Sequence, residues 1–308
     1  MNKYLIAIFL FIIVFLLAAI LLSKRRDLPF QEVIALDKGI AVVDAQQWFM
    51  KDLNIVCRKD NRDIGEQDYD DKGVVVFSGL ENGHEYTITI YRTDVKGKLL
   101  YKPYSKTVTP HEGGDKYYIL VGASIGKNWK FEKLPERLEM SNDIALGNRT
   151  VYQFNKTKSI KDIVNLPFPV AGVIIKECSA YFPRNLEESE KKIFQWIELL
   201  KMKDIQPFLA TTVPITEKLA HKMPGRQNSL EKFNDFIRQY GKRETIPVLD
   251  LEKALRKSRV DRHLREEFAR KDGTHLIDKA YREALDPLVL PLLKTGTVDK
   301  GNNKRVDE

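Results

Sequence analysis

The chain reads as an α/β domain preceded by an all-β domain and by one membrane-spanning segment. Three observations carry this reading. Residues 115–294 alternate short apolar runs with stretches of helical period, which predicts a parallel sheet covered on both faces. Residues 31–110 hold short β-rich runs between turn-rich stretches. Residues 4–22, opening at Tyr4 and closing at Leu22, are an unbroken apolar run, and Lys24, Arg25 and Arg26 follow it closely.

Composition bounds the function. A chain of 308 residues has room for the apolar segment and about two domains. Hydrophobic residues make up 43% and charged residues 31%, which is ordinary for globular protein and excludes long disorder. The net charge is +8, but basic residues stand beside acids, as over residues 251–272. That pattern is a solvated helix face, and nucleic acid is not an expected partner. The two cysteines, Cys57 and Cys178, fall in different predicted domains. They build neither a disulfide framework nor a metal site, so buried free thiols are expected, with no metal or cofactor.

A helix needs about 20 apolar residues to cross a bilayer, whereas a secretory signal carries about 7–15 and a small-residue cleavage site. The run over residues 4–22 fits the first description, and Ala18 and Ala19 make a poor cleavage site. Residues 1–26 are therefore expected to be an uncleaved anchor with a basic flank, its partner the lipid bilayer. Taken alone, the positive-inside rule would put Lys24, Arg25 and Arg26 in the cytoplasm. Residues 295–308 are a polar tail expected to fray.

In the all-β region, strands are expected over Gly39–Val43 and over residues 53–58, 74–77, 86–92 and 99–109, with turns over 60–73 and 81–83. Tyr86–Tyr91 alternates apolar with polar, so one face is buried and one is wet. About seven short strands over roughly 80 residues suggest a β-sandwich. The spacing Leu80, Gly83, Tyr86 and the closing strand from Tyr104 to Pro110 resemble a fibronectin type III domain. That resemblance implies that Tyr86 is a corner tyrosine whose hydroxyl bonds back to the backbone. The family's core tryptophan has no clear counterpart, since Trp48 stands a few residues late. Residues 111–114 read as the linker to the next domain.

In the α/β region, strands are expected over residues 116–121, 170–175, 207–213 and 245–249. Helices are expected over 159–165, 186–203, 229–240 and 276–285. In the second helix Ile193, Phe194, Ile197, Leu200 and Met202 recur near helical spacing, as a core stripe does.

Two short motifs carry chemistry. Gly122-Ala123-Ser124-Ile125-Gly126 follows the first strand of the α/β region. A serine behind a small residue at a strand end suits an exposed nucleophile on a tight turn, with its own backbone N–H facing the substrate as half an oxyanion hole. Asp272-Gly273-Thr274-His275 precedes the last predicted helix. An acid three residues before a histidine can set carboxylate and imidazole together: the carboxylate fixes the tautomer and the imidazole takes the serine proton. Each motif alone is common; paired at the two ends of one α/β region they predict a triad of Ser124, Asp272 and His275. The other histidines, His84, His111, His221 and His263, have no such setting in the sequence.

These motifs resemble the first and last blocks of the SGNH, or GDSL-like, hydrolases, with Ala123 where that family has an aspartate outside its triad. The resemblance covers most of residues 115–294 and implies a flavodoxin-like, three-layer fold. Two middle blocks depart from it. The family carries a glycine after its second strand and Gly-x-Asn after its third, both supplying oxyanion donors; here the segments read Phe154-Asn155-Lys156-Thr157 and Ile175-Lys176-Glu177-Cys178-Ser179. In a flavodoxin-like order the second and third strands flank the first. Lys156 and Glu177 are then expected on either side of Ser124, the lysine toward an oxyanion and the carboxylate orienting it. Gly-x-Ser-x-Gly also fits the nucleophile elbow of α/β-hydrolases, but that fold needs several strands before the elbow.

The expected activity is that of a membrane-anchored serine esterase removing O-acyl groups, acetyl foremost, from a glycan or envelope polymer. An O-acyltransferase using the same triad, or an anchored non-catalytic binding protein with a degenerate hydrolase fold, remain as alternatives. The positive-inside rule notwithstanding, a sandwich spacer and a polymer-directed esterase suit an extracytoplasmic placement.

Overall fold

The computed structural model describes residue 28 and residues 31–44, 53–71, 73–152, 156–182 and 186–296. The predicted anchor over residues 4–22, Trp48 and residues 297–308 of the polar tail lie outside the described residues; residues 295 and 296, expected to fray, close the last helix. Among the described residues no helix is long and apolar enough to cross a membrane. The chain divides between Gly113 and Gly114 into two compact units.

The first unit holds two antiparallel sheets. Strands β1 (Glu32–Leu36), β2 (Gly39–Val43) and β5 (Val74–Ser78) form one, in that order. Strands β3 (Asn54–Lys59), β4 (Arg62–Gln67), β6 (Tyr86–Tyr91) and β7 (Tyr104–Val108) form the other, in the order β4-β3-β6-β7. Alternate residues of both, among them Val33, Ile40, Val42, Val75, Ile55, Cys57, Ile88 and Ile90, meet in one apolar core. Burial in that core pushes the Cys57 thiol up to about 11. The Tyr86 hydroxyl accepts from the Glu81 backbone N–H at 2.9 Å, which pins the corner before β6.

Two strands here escaped the sequence reading. β4 lies inside the stretch read as turns; its Arg-Asp-Ile-Gly-Glu-Gln is almost wholly exposed at a sheet edge, so no apolar alternation marks it. β1 is short and buried throughout all but its last residue, which removes the alternation as well. The strand expected over 99–109 shortens to β7, and Leu99 instead forms an isolated bridge with Thr93.

The second unit is a five-stranded parallel sheet of β8 (Lys116–Gly122), β9 (Ile144–Thr150), β10 (Gly172–Lys176), β11 (Gln206–Ala210) and β12 (Val248–Leu249). The order is β12-β11-β10-β8-β9, so the second and third strands flank the first, as a flavodoxin-like order requires. Helices α1 (Ser124–Trp129), α2 (Lys156–Val164), α3 (Leu186–Lys201), α4 (Glu217–Lys222), α5 (Arg226–Arg243) and α6 (Leu251–Leu255) follow successive strands. The chain then passes through a turn at Asp278–Ala280 and a π-helical turn at Tyr281–Leu285 into α7 (Asp286–Gly296).

On one face Leu120, Ile174, Phe208 and Leu249 pack against Ile125, Trp129, Leu276, Leu285 and Val289. The alternate residues Ile119, Val121, Val173 and Ile175 are completely buried and point to the opposite face. The last predicted helix begins at Asp278, two residues later than expected, because Leu276 is held in a bridge with Ala269. The core stripe of α3 holds at Ile193, Ile197 and Leu200, but Phe194 is 36% and Met202 70% exposed. Phe194 stands about 100° around the helix from Ile193 and packs edge-on against Phe236 and Tyr240 instead.

Candidate active site

Ser124 opens α1 at the carboxyl end of β8, the central strand of the β10-β8-β9 trio. The first N–H groups of a helix have no partner within it, so the Ser124 N–H is available at the turn. Gly126 is the tight position of this motif. A Cβ there would lie 3.0 Å from Asn148 Oδ1 and 3.1 Å from Leu120 Cδ2, so its absence lets α1 settle on β8 and β9.

The second half of the site is a closed loop. The Ala269–Leu276 bridge joins its ends, and the Arg270 N–H donates to the His275 carbonyl at 2.7 Å. Within it Asp272 Oδ1 accepts from the N–H groups of Thr274 (2.9 Å) and His275 (2.8 Å). Asp272 Oδ2 lies 2.7 Å from His275 Nδ1, and His275 Nε2 lies 2.9 Å from Ser124 Oγ. The structure thus brings Ser124, His275 and Asp272, from the two ends of the unit, into one hydrogen-bonded row. Burial alone would push the Asp272 carboxyl up, but the two backbone donors and the imidazole outweigh it and hold the group below the usual carboxylate range.

Gly273 makes this loop possible. Its φ is +72°, and a Cβ would come 2.5 Å from Thr216 Oγ1 and 3.0 Å from Leu219 Cβ. Thr216 caps α4 and donates its N–H to the Gly273 carbonyl at 2.9 Å. Gly273→Ala is expected to cost about 2 kcal/mol or more from backbone strain and crowding. Urea denaturation checks it, and a stability equal to wild type would mean that the loop relaxes freely.

Behind the serine, a buried carboxylate ties the two halves together. Asp286 accepts from Trp129 Nε1 at 2.6 Å and from Arg137 Nε and Nη2 at 2.7 and 2.8 Å. Trp129 ends the helix that Ser124 begins, and Asp286 opens the helix beyond His275. A second network braces the loop after β11. Glu252, completely buried, accepts from Asn234 Nδ2 (2.8 Å), Arg238 Nη2 (2.9 Å) and Arg262, while Asn234 also holds Thr212. No sequence motif announces either cluster, since each assembles residues far apart in the chain.

The expectation for Lys156 and Glu177 is corrected. They follow β9 and β10, the strands that flank β8, but their charged groups turn to each other at 3.0 Å and both side chains are completely buried. Lys156 Nζ also lies 5.8 Å from the centre of the Trp196 ring. A substrate oxygen therefore has no path to Lys156 Nζ, and the pair joins α2 to the end of β10. Cys178 is only partly buried, where a buried thiol was expected. His263 differs too: its Nδ1 lies 2.8 Å from Asp261 Oδ1, in a loop where Lys257 also reaches Asp261. Among the described residues no group of three or more His, Cys, Asp and Glu side chains is placed to hold a metal ion.

Solved structures with a partial likeness to the chain include the following three. A GDSL-like lipase from Bacteroides thetaiotaomicron is 18% identical, with 58% of this chain and 88% of that one covered and a TM-score of 0.48. An acetyl xylan esterase is 17% identical over 57% of this chain and 99% of that one, with a TM-score of 0.47. A lipase/acylhydrolase from Enterococcus faecalis is 17% identical over 58% and 95%, with a TM-score of 0.46. No protein-family model matches the chain, and a comparison with curated proteins gave no match.

Proposed function

We propose that this protein is a serine esterase that removes O-acyl groups through an acyl-serine intermediate. The observation that carries the reading is the unbroken row from Asp272 through His275 to Ser124, with contacts of 2.7 and 2.9 Å. Ser124 Oγ attacks the ester carbonyl carbon as His275 Nε2 takes its proton. The carbonyl oxygen becomes the oxyanion, facing the Ser124 N–H. His275 returns the proton to the departing alcohol and leaves acyl-Ser124. A water, deprotonated by His275, then attacks the acyl carbon and releases the acid. The imidazole is 34% and the Asp272 side chain 51% exposed, so water reaches this site, which favours hydrolysis over transfer to another alcohol.

The first unit supports a fibronectin type III-like spacer: its sheets run β1-β2-β5 and β4-β3-β6-β7, and Tyr86 makes the corner bond. With the apolar run at residues 4–22 as an anchor in the bilayer, such a spacer suits work outside the cytoplasm on an acylated glycan or envelope polymer.

One experiment tests chemistry and sidedness together. A membrane-impermeant fluorophosphonate is applied to cells with any outer membrane removed, and the labelled peptide is identified by mass. Label on Ser124 in intact cells is expected. Label only after lysis would place the site in the cytoplasm, and no label on Ser124 in either case would reject the serine esterase.

A further inference from the structure

Lys176 is the last residue of β10, a strand buried from end to end, and is itself 1% exposed. Burying an ammonium is costly unless it is paired. The carboxylate next to it, Glu177, is engaged with Lys156, so two lysines and one carboxylate share this interior. Lys176 Nζ donates to the Glu177 backbone carbonyl at 2.8 Å, and among the described residues no carboxylate lies at ion-pair distance from it. The groups that face it are Cys178 and Glu177 from its own strand end and Lys156 from α2.

Its position makes that uncompensated charge pointed. Lys176 Cβ and Cδ lie 3.8 and 3.9 Å from where a Cβ would stand on Gly122, two residues before Ser124. The lysine stem therefore runs alongside Gly122 at the end of β8, at ordinary van der Waals distance from where a side chain would begin there. Nothing in the packing asks for a cation there, since an apolar side chain of the same length would fill the same space without loss of solvation.

We propose that Lys176 places a buried positive charge beneath the Ser124 turn and thereby stabilises the oxyanion that forms above it, without touching the substrate. This rests on the serine-esterase reading. A fixed charge in a dry interior acts on developing negative charge over several ångströms, because little solvent screens it. It would act in concert with the Ser124 N–H. Burial lowers the Lys176 pKa to about 8, so the charge is present at neutral pH and lost as pH rises through that value.

The test compares Lys176→Met and Lys176→Arg with wild type in the full chain. Lys176→Met is expected to lower kcat roughly 10- to 100-fold with KM little changed, and to remove a basic limb near pH 8 from the kcat/KM profile. Because a buried charge is replaced by an apolar side chain, its thermal stability at pH 7 should equal or exceed that of wild type. Lys176→Arg, which keeps the charge, should retain more activity than Lys176→Met and titrate outside the accessible range. A folded Lys176→Met enzyme with wild-type kcat, or one that keeps the basic limb, would overturn the proposal. So would equal losses in the two variants. Wild-type protein that takes no fluorophosphonate on Ser124 would instead remove the esterase reading on which the proposal stands, so the two failures are distinct.

Discussion

Asp272→Asn is expected to lower ester turnover by about 10⁴-fold at neutral pH, with the fold intact, as a triad carboxylate should. The carboxylate makes three contacts: Oδ1 takes the N–H groups of Thr274 and His275, and Oδ2 faces His275 Nδ1. An asparagine can keep its carbonyl oxygen on the two backbone donors, so the loop holds its shape. Its amide nitrogen then meets Nδ1 as a donor. The imidazole must accept at Nδ1 and carry its proton on Nε2, where it cannot take the Ser124 proton. The wild-type carboxyl is held below the usual range, so the loop stability it supplies is present above its unfolded pKa and lost only as pH falls through the folded one. A loss under tenfold in the asparagine variant would show that Asp272 only closes the loop through its backbone bonds.

The two motifs of the candidate triad were legible because each is short and its geometry is local. Asp272 reaches His275 across a three-residue turn, and Ser124 needs only a strand end and the small residues around it. Their meeting follows once the strand order is known; that order was implied by the family resemblance, whereas the apolar runs leave β9 unmarked. What the sequence hides is tertiary. Lys156 and Glu177 stand at the predicted strand ends, yet their charges prefer each other to an open cleft, since burial makes an unpaired ion costly and a paired one tolerable. Asp286 meets Trp129 and Arg137 from well over a hundred residues away, with no motif to announce it. Lys176 left one trace: a lysine closing the buried run Gly-Val-Ile-Ile, where a strand of that kind has no use for charge. β4 and β9 were missed for opposite reasons. The first is an exposed edge strand without apolar alternation, and the second buries only Leu146, Gly147 and Asn148 in its middle.

Ser124→Ala and His275→Ala should each reduce turnover by about 10³-fold or more, and the double variant should be scarcely worse than either one. His275 Nε2 is useful only with Ser124 Oγ 2.9 Å away to give it a proton, and Ser124 Oγ is a weak nucleophile without that base. Removing one leaves the other idle, so their contributions cannot add. Neither substitution should disturb the fold. Ser124 holds its place through the backbone of α1, and the His275 ring, one third exposed, bonds only to Asp272 and Ser124 among the described residues. Activity left in the double variant reports what binding, the Ser124-position N–H and the buried charge beneath it achieve without the nucleophile. Losses that multiplied in the double variant would mean that the two side chains act independently. Turnover near wild type in either single variant would mean that the row of hydrogen bonds is not the catalytic one.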